Sequence, residues 1–276
     1  MSNGFYITRP DGTTECLYVP TIKQLEFHQR TEPNVLMVGG RGSGKSMALR
    51  MEAHIRALAH PGFKYIILRR TYPQLLQSHL SFLPIEMDKL GGVFHHTDKI
   101  ARYPNGSKGY FSQCATDADV LNLLSAEFAW AGFDELSTFE WEMFLKLSAS
   151  VRVTEGSGLV AMVRAATNPL GISAAQINKY FILKDVSFDE DTEYNPNDWY
   201  AVKANLEDNP HVDAAQYRRR FSGLPEHYRR AWIDGEFSLE NQLFDFRPSK
   251  DNKPYHVISS LPLLGGKPIV YREGMW

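Results

Sequence analysis

One glycine-rich segment, GGRGSGKS at residues 39–46, constrains the fold of this chain more than any other feature. The apolar run Asn34–Val38 precedes the segment, and residues 47–59 after it have helical composition. A strand, a glycine loop and a helix in this order let backbone N–H groups and a helix N-terminus surround phosphate groups. The segment therefore predicts a phosphate-binding loop in an α/β nucleotide-binding fold.

The segment satisfies the pattern G-x4-G-K-[S/T] in full, with Lys45 and Ser46 as its last two residues. In such loops the lysine reaches the β- and γ-phosphates, and the hydroxyl that follows it binds Mg²⁺. Arg41 lies inside the loop, where it is either a solvated charge or an arginine that contacts the γ-phosphate. The predicted binding residues are Gly39, Gly40, Arg41, Gly42, Ser43, Gly44, Lys45 and Ser46.

An acidic pair, Asp134-Glu135, directly follows the apolar stretch Phe128–Phe133. In P-loop ATPases an aspartate in this place holds Mg²⁺, and an adjacent glutamate polarises the attacking water as a general base. A strand also ends in acidic residues simply because the next helix needs a cap. Together with the phosphate loop, the pair favours ATP hydrolysis, with Asp134 as a metal ligand and Glu135 as the base.

Weaker patterns add further candidates. Asn168 follows the apolar stretch at 159–166, and it either senses the γ-phosphate or belongs to a simple Asn-Pro turn. Gln24 and Phe27 precede the phosphate loop, and they are either adenine contacts or part of an ordinary amphipathic helix. The candidates for an arginine that acts on a neighbouring subunit, if they are not surface or structural residues, are Arg102, Arg152 and Arg164.

Composition excludes several classes of protein. The chain has 276 residues, is 43% hydrophobic and has a formal net charge of −2, which argues against disorder and against a globally basic nucleic-acid binder. No apolar run approaches the length of about 18 residues that a membrane span needs. Cys16 and Cys114 lie far apart and residues 1–20 lack a secretory leader, so we expect a reducing, cytosolic compartment.

Apolar stretches that alternate with helical segments indicate βαβ units and a mostly parallel sheet. Helices are predicted at 21–29, 47–59, 73–90 and 139–147, strands at 34–38, 65–68, 128–133 and 159–166, and a hairpin turn at 104–106. The candidate polar groups follow strand ends, where open α/β sheets bind their ligands. We expect an N-terminal appendage at 1–20, a P-loop ATPase core at 21–175, a lid subdomain at 176–240 and a linker at 241–276.

The predicted lid has an uneven charge distribution. Residues 184–213 carry nine acidic side chains, whereas residues 217–230 carry five arginines. The arginine-rich segment is either a contact for DNA or another subunit, or it pairs internally with the acidic stretch.

Taken together, these motifs resemble those of the large terminase subunit of tailed bacteriophages, over about residues 20–245. The resemblance rests on GGRGSGKS with its Arg41, on Q-x-x-F-H at 24–28, on Asp134-Glu135 and on Thr167-Asn168-Pro169, which is similar to the coupling motif of the family. The sequences DNPH at 208–211 and YRRAWIDGEF at 228–237 are similar to the pattern that closes the family's ATPase region.

The resemblance implies an ASCE-type P-loop ATPase with a small lid subdomain, in which ATP hydrolysis drives double-stranded DNA into a procapsid. It implies that Lys45 and Arg41 stabilise phosphate charge, that Ser46 and Asp134 hold Mg²⁺, and that Glu135 activates water. Asn168 would then couple hydrolysis to movement of the lid.

The resemblance also implies partners and a location. The partners are double-stranded DNA, a portal protein, a small terminase subunit and further copies of the chain in a ring. The location is the host cell cytoplasm, with no membrane involved. Many members carry an Arg-Gly that acts in trans; the corresponding place here reads Leu124-Ser125, so Arg152 is the candidate instead. Ile269-Val270-Tyr271 is a candidate first strand of the nuclease domain that members carry, and we expect no nuclease activity from this chain.

Other functions stay open at this point. One alternative is another P-loop DNA translocase or helicase, although no second set of helicase motifs is visible. A second is a nucleotide-dependent switch module with little catalysis, against which Asp134-Glu135 argues. A third, a small-molecule kinase, lacks an evident acceptor site.

Overall fold

A computed structural model describes residues 4–8, 12–124, 126–185 and 193–237, together with residues 263–264 and 267–268. The chain divides into two compact units, Met1–Ser238 and Leu239–Trp276. Most of the acidic segment between 185 and 193, nearly all of the predicted linker at 241–276 and the stretch Ile269-Val270-Tyr271 lie outside the described residues.

The described part of the first unit contains ten strands, of which the third, fourth, eighth and ninth match the four predicted strands with small shifts at their ends. The ten strands are β1 Phe5–Thr8, β2 Thr14–Tyr18, β3 Asn34–Gly39, β4 Lys64–Arg69, β5 Val93–His95, β6 Ile100–Arg102, β7 Lys108–Gln113, β8 Trp130–Asp134, β9 Met162–Thr167 and β10 Trp199–Ala204. In the second unit, β11 Leu263–Leu264 pairs antiparallel with β12 Lys267–Pro268.

Eight strands form the central sheet in the order β10-β3-β9-β8-β4-β7-β6-β5. Pairing is parallel from β10 to β7, and the last two strands are antiparallel additions at one edge. The turn at Asn105-Gly106 joins β6 to β7, as the sequence predicts, and Gly106 takes a positive φ of 84° there. The mostly parallel α/β sheet confirms the predicted fold class.

Helices cover both faces of this sheet. They are α1 Ile22–Gln29, α2 Lys45–Ala59, α3 Tyr72–Leu75, α4 Leu83–Lys89, α5 Asp117–Leu124, α6 Trp141–Ala149, α7 Ala174–Ile177, α8 Ala214–Arg220 and α9 Glu226–Trp232. Within the described part of the chain, none of the helices has both the length and the apolar character needed to cross a lipid bilayer.

The core consists of two layers, one on each face of the sheet. Val35 and Met37 of β3 pack in one layer, whereas Leu36 and Val38 pack in the other. This alternation buries every side chain of the strand's centre, which explains why parallel strands read as continuous apolar runs in the sequence. The buried sheet fixes the positions at which its strands end, and hence the positions of the polar residues that follow them.

One predicted helix, residues 73–90, is instead two helices separated by an irregular segment. A π-helical turn, Leu76–Leu80, follows α3, and α4 begins afresh at Leu83. Pro84 supplies the reason, because a proline in a helix interior loses a hydrogen bond and clashes with the preceding turn, whereas it is tolerated in the first turn. The break matters for function because the π turn carries His79, which is buried.

The sheet corrects the predicted boundary between the core and the lid at residue 175. Strand β10 lies within the predicted lid range, yet it pairs along its whole length with β3, the strand that leads into the phosphate loop. Residues 199–204 are thus an edge strand of the core sheet. Helices α8 and α9 follow this strand, and we refer to them below as the lid helices.

Candidate nucleotide site

The phosphate loop connects β3 to α2 at the carboxyl edge of the sheet. Gly42 and Gly44 both have a φ of +81°, a left-handed conformation that side chains disfavour and that glycine adopts freely. The turns they allow bring the loop round to the first residue of α2, Lys45. The helix therefore directs its unpaired N-terminal N–H groups and its partial positive charge toward the loop, as an anion site requires.

The side chain of Lys45 folds back over the loop. Its Nζ donates to the carbonyl oxygens of Gly39 and Gly40 at 3.0 and 2.7 Å, and to the Oδ1 of Asn168 at 3.1 Å. Burial lowers the pKa of Lys45 to about 8, and the nearby carboxylates of Glu135 and Asp134 oppose that effect. The ammonium group is thus a partly desolvated cation beside the phosphate loop.

Asp134 ends β8 and lies buried next to Ser46, whose Oγ donates to its Oδ1 at 3.0 Å. A hydroxyl and a carboxylate are oxygen ligands of the kind that Mg²⁺ takes, since it uses one or two protein groups together with waters and substrate phosphates. The residues present therefore fit a magnesium site of the predicted composition, Ser46 and Asp134.

Glu135 has a φ of 57°, an unusual conformation for a residue with a side chain. This turn points its carboxylate toward Asn168, whose Nδ2 donates to both carboxylate oxygens at 3.0 and 3.1 Å. Burial, and next the charge of Asp134, raise the pKa of Glu135 above its ordinary value. The Asn168 amide thus connects Lys45 to Glu135, and the three predicted residues lie together.

Two basic residues that the sequence reasoning did not assign to the site complete it. Arg69, the last residue of β4, has its Nε 2.9 Å from the Oδ2 of Asp134, and His79 Nε2 donates to the same oxygen at 3.0 Å. Burial would raise the pKa of Asp134, but the His79 hydrogen bond and the positive charges hold it below its ordinary value. Arg69 follows the apolar run YIIL, so the strand-end rule could have found it, whereas the π turn that positions His79 has no sequence signal.

Arg41 lines the same cavity of about 390 Å³ as Lys45, Ser46, Glu135 and Asn168. Its guanidinium lies over the Trp232 ring at the end of the lid helices, 3.9 Å from the ring centroid. The backbone N–H of Arg41 also donates to the Trp232 carbonyl at 2.6 Å. The structure therefore joins the phosphate loop to the lid helices through Arg41, and its predicted contact with the γ-phosphate stays a prediction.

The predicted adenine contacts have different outcomes. Gln24 is buried; its Nε2 donates to the Gly44 carbonyl at 3.0 Å, and its Oε1 accepts the N–H of Thr21 at 2.8 Å as part of a capping box. It borders a cavity of about 510 Å³ beside the phosphate loop, which Tyr18 also lines. The ring of Phe27 is fully buried in the core, which corrects its assignment as a base contact because a core side chain presents no face to a ligand.

The candidate trans-acting arginines lie apart from the site. Arg152 is exposed near the amino end of β8, with its Nε 3.1 Å from Glu127, and its role in trans stays a prediction. Arg102 is exposed on β6, the strand between β5 and β7. Arg164 is fully buried and bonded to Glu52, so it is a structural residue and cannot reach a neighbouring subunit.

The arginine-rich segment is partly paired within the chain. Arg218 bonds Glu207 and Asp234, and Arg230 bonds Glu236. The internal partners include Glu207 of the acidic stretch, as one of the two interpretations predicted. Contact of this segment with DNA or with another subunit stays a prediction.

Residues 32–232 match the family model described as phage terminase large subunit. Among solved structures, the large terminase of a thermophilic bacteriophage in complex with ADP is similar with a TM-score of 0.59 and 17% identity, over 79% of this chain and 53% of that one. The ATPase domain of the Thermus phage P74-26 large terminase is similar with a TM-score of 0.62 and 18% identity, over 80% and 95% of the two chains.

These structural likenesses, at such low identities, support the fold. The chain spans about half the length of the large terminase that was solved with ADP. No curated protein sequence shows significant similarity to the chain.

Proposed function

The chain belongs to the phage terminase large subunit family, and from that membership we propose that it is the ATP-hydrolysing motor domain of a terminase, which drives double-stranded DNA into a procapsid. One observation carries the proposal. The ends of β3, β8 and β9 bring Lys45, Asp134-Glu135 and Asn168 into a single site at the carboxyl edge of the sheet. Phosphate binding, metal binding and water activation all require groups of these kinds within reach of one nucleotide.

Each residue has a distinct task in this proposal. Lys45 leaves its carbonyl partners to bind the β- and γ-phosphates, and Arg41 stabilises phosphate charge from the loop. Ser46 and Asp134 hold Mg²⁺, which when bound neutralises phosphate charge and orients the phosphates. Glu135, whose pKa burial raises, accepts the proton of the attacking water. Asn168 contacts Lys45 and Glu135, so it senses whether the phosphates have drawn the lysine away.

The partners follow from the family. The proposed motor acts as a ring of copies of this chain on a portal protein, together with a small terminase subunit, in the host cell cytoplasm. The large terminase of the thermophilic bacteriophage has been solved with ADP and with ATP-γ-S, which supports a nucleotide as the ligand here. The contact of Arg41 with Trp232 supports the lid helices as the part that responds to that nucleotide.

The competing functions predict different chemistry. A nucleotide switch has no need of a half-buried carboxylate held toward the phosphate loop, whereas Glu135 is held there in an unusual backbone conformation. Another DNA translocase of the P-loop class would use the same ATP chemistry, so only the response to DNA and portal distinguishes it from a packaging motor.

The experiment measures ATP turnover by the wild-type chain and by Glu135→Gln, with and without double-stranded DNA. The glutamine keeps an oxygen that accepts from Asn168 but cannot take a proton, so we expect turnover to fall roughly 10²–10⁴-fold with nucleotide affinity retained. The exposed Glu142→Gln is the matched control and should hydrolyse ATP like the wild type. Full turnover by Glu135→Gln would remove Glu135 as the base, and no wild-type turnover under any condition would leave the switch function instead.

A further inference from the structure

Arg69 is the one cation in the described part of the chain that forms ion pairs with both members of the acidic pair. We infer that Arg69 is a positioning residue for ATP hydrolysis, which holds Glu135 and Asp134 in their working orientations and shares Asp134 with the metal. The inference rests on the proposed ATPase function and assigns a residue that neither the phosphate loop nor the acidic motif contains.

The sheet determines where Arg69 lies. Strand β4 is the parallel neighbour of β8, with Leu68 opposite Phe133, so the next residues, Arg69 and Asp134, emerge side by side. The Nε of Arg69 lies 2.9 Å from the Oδ2 of Asp134, and its Nη2 lies 3.7 Å from the Oε1 of Glu135. The Arg69 side chain is only 12% exposed, so water screens these pairs weakly.

Two carboxylates on consecutive residues repel each other, and here Glu135 lines the cavity beside the phosphate loop whereas Asp134 is buried. A planar guanidinium offers several N–H donors at fixed angles and can therefore contact both carboxylates at once, which a single ammonium does less well. We expect that without the Arg69 charge the Glu135 side chain would turn away from Asp134. Its carboxylate would then no longer point toward the phosphates.

The neighbouring basic residues cannot replace Arg69. Of the two carboxylates of the acidic pair, His79 bonds that of Asp134, and the pKa of His79 is lowered by burial, which favours its neutral form. Lys45 donates to carbonyl, hydroxyl and amide oxygens of the loop and of Asn168. Arg70, the next residue along the chain, points elsewhere and contacts the Cys114 carbonyl and Glu140.

A consequence concerns the affinity of Asp134 for its metal. One of its oxygens accepts from Ser46, and the other is held by Arg69 and His79. A cation beside a carboxylate competes with any metal that binds the same carboxylate. Loss of Arg69 should therefore weaken catalysis and, in the protein without nucleotide, strengthen binding of Mg²⁺ alone.

The test compares Arg69→Gln, Arg69→Lys and the matched control Arg70→Gln with the wild type. We measure kcat and KM for ATP at saturating Mg²⁺, and the rise in melting temperature that Mg²⁺ alone produces. Residues that orient the groups around a metal typically contribute about 10–100-fold, so Arg69→Gln should lose that much in kcat while KM stays within about threefold. Arg69→Lys should recover part of kcat, and Arg70→Gln should retain nearly all of it.

The Mg²⁺ measurement does not depend on turnover. Arg69→Gln should reach half of its thermal stabilisation at a lower Mg²⁺ concentration than the wild type, and Arg69→Lys should lie between the two. Wild-type values of both kcat and Mg²⁺ response in Arg69→Gln would overturn the inference. An equal loss of kcat and melting temperature in Arg69→Gln and Arg70→Gln would overturn it too, because it would indicate general destabilisation. A wild type that hydrolyses no ATP would overturn the proposed function, and the Mg²⁺ response would still test the contact of Arg69 with Asp134.

Discussion

Two groups of mostly charged and mostly buried side chains each include residues of helix α2, and the two groups differ in how well their charges are matched. The site cluster, at the first turn, comprises Lys45, Asp134, Glu135, Arg69 and Asn168. The support cluster, two turns further along, comprises Glu52, Arg164, Arg56 and His28. The support cluster reaches from α2 to β9, and the site cluster reaches from α2 to Asn168, the residue directly after β9.

The support cluster is closely paired. The Nε of Arg164 donates to Glu52 Oε1 at 3.0 Å, and its other nitrogens donate to the carbonyls of Arg30 and Glu32 at 2.8 and 3.0 Å. Burial alone would raise the pKa of Glu52, but the charges of Arg164 and its neighbours outweigh it and lower the pKa to about 2. These contacts tie α2 and β9 to the end of α1, which stabilises the fold behind the site.

The site cluster is paired less favourably. Burial lowers the pKa of Lys45 to about 8 and raises that of Glu135, so both groups are less stable in their charged forms than they would be in water. Functional sites often hold groups whose pKa values are perturbed in this way. A ligand that brings the opposite charges, which these groups lack in the free protein, then binds strongly. Buried charge therefore contributes to stability at one place along this helix and to ligand binding at another.

Glu52→Gln should produce the largest effect. It leaves the buried Arg164 charge without its counterion, so we expect the free energy of unfolding to fall by roughly 3–5 kcal/mol. Urea denaturation measures this loss, and the exposed Glu155→Gln serves as the control. Nucleotide affinity, measured at a temperature where the variant is folded, should stay close to that of the wild type. A loss below about 1 kcal/mol would mean that the support cluster does little for stability.

Lys45→Met should have the opposite pair of effects, a large loss of nucleotide affinity with little change in the free energy of unfolding. It removes charge-assisted hydrogen bonds to phosphate, so nucleotide affinity should fall about 100-fold, or about 2.7 kcal/mol. The free energy of unfolding should change by less than about 1 kcal/mol, because the variant also relieves the cost of burying an ammonium group. Calorimetric titration and urea denaturation check the two values. A destabilisation as large as that of Glu52→Gln would erase the distinction between the clusters.

The sequence predicted the site cluster better than the support cluster, for a physical reason. The phosphate loop needs glycines at fixed spacing, and Asp134 and Asn168 follow apolar strands, so local patterns locate them. Arg164 lies within β9, where its partners come from residues more than a hundred positions away, and nothing local distinguishes it from a surface arginine.

Tertiary contacts likewise explain the remaining differences. Phe27 carries the pattern of an amphipathic helix, and its depth in the core depends on the sheet beneath it. Strand β10 joins the sheet beside β3, although the chain reaches it only after α7 and the acidic segment. The position of His79 depends on the π turn that precedes Pro84. These features depend on packing between distant segments, which periodicity along the chain does not report.

The smallest expected effect is a pH dependence that separates binding from stability. Because the pKa of Lys45 is about 8 in the free protein and bound phosphates would raise it, binding takes up a proton above that pH. Nucleotide affinity should therefore fall about tenfold between pH 7 and pH 9. Lys45 has its ordinary pKa of 10.5 in the unfolded chain, so above pH 8 the unfolded state holds more protons and the contribution of Lys45 to stability rises with pH.

Affinity and stability should thus change in opposite directions over this range. Binding titrations and urea denaturation at each pH measure the two, and Lys45→Met provides the baseline against which both slopes are taken. The carboxylate of Glu52 is ionised in both states at these pH values, and its contribution to stability is lost only as the pH falls from about 4.5 toward about 2. If affinity and stability change with pH equally in the wild type and in Lys45→Met, Lys45 keeps its charge throughout this range. Burial would then not distinguish the site cluster from the support cluster.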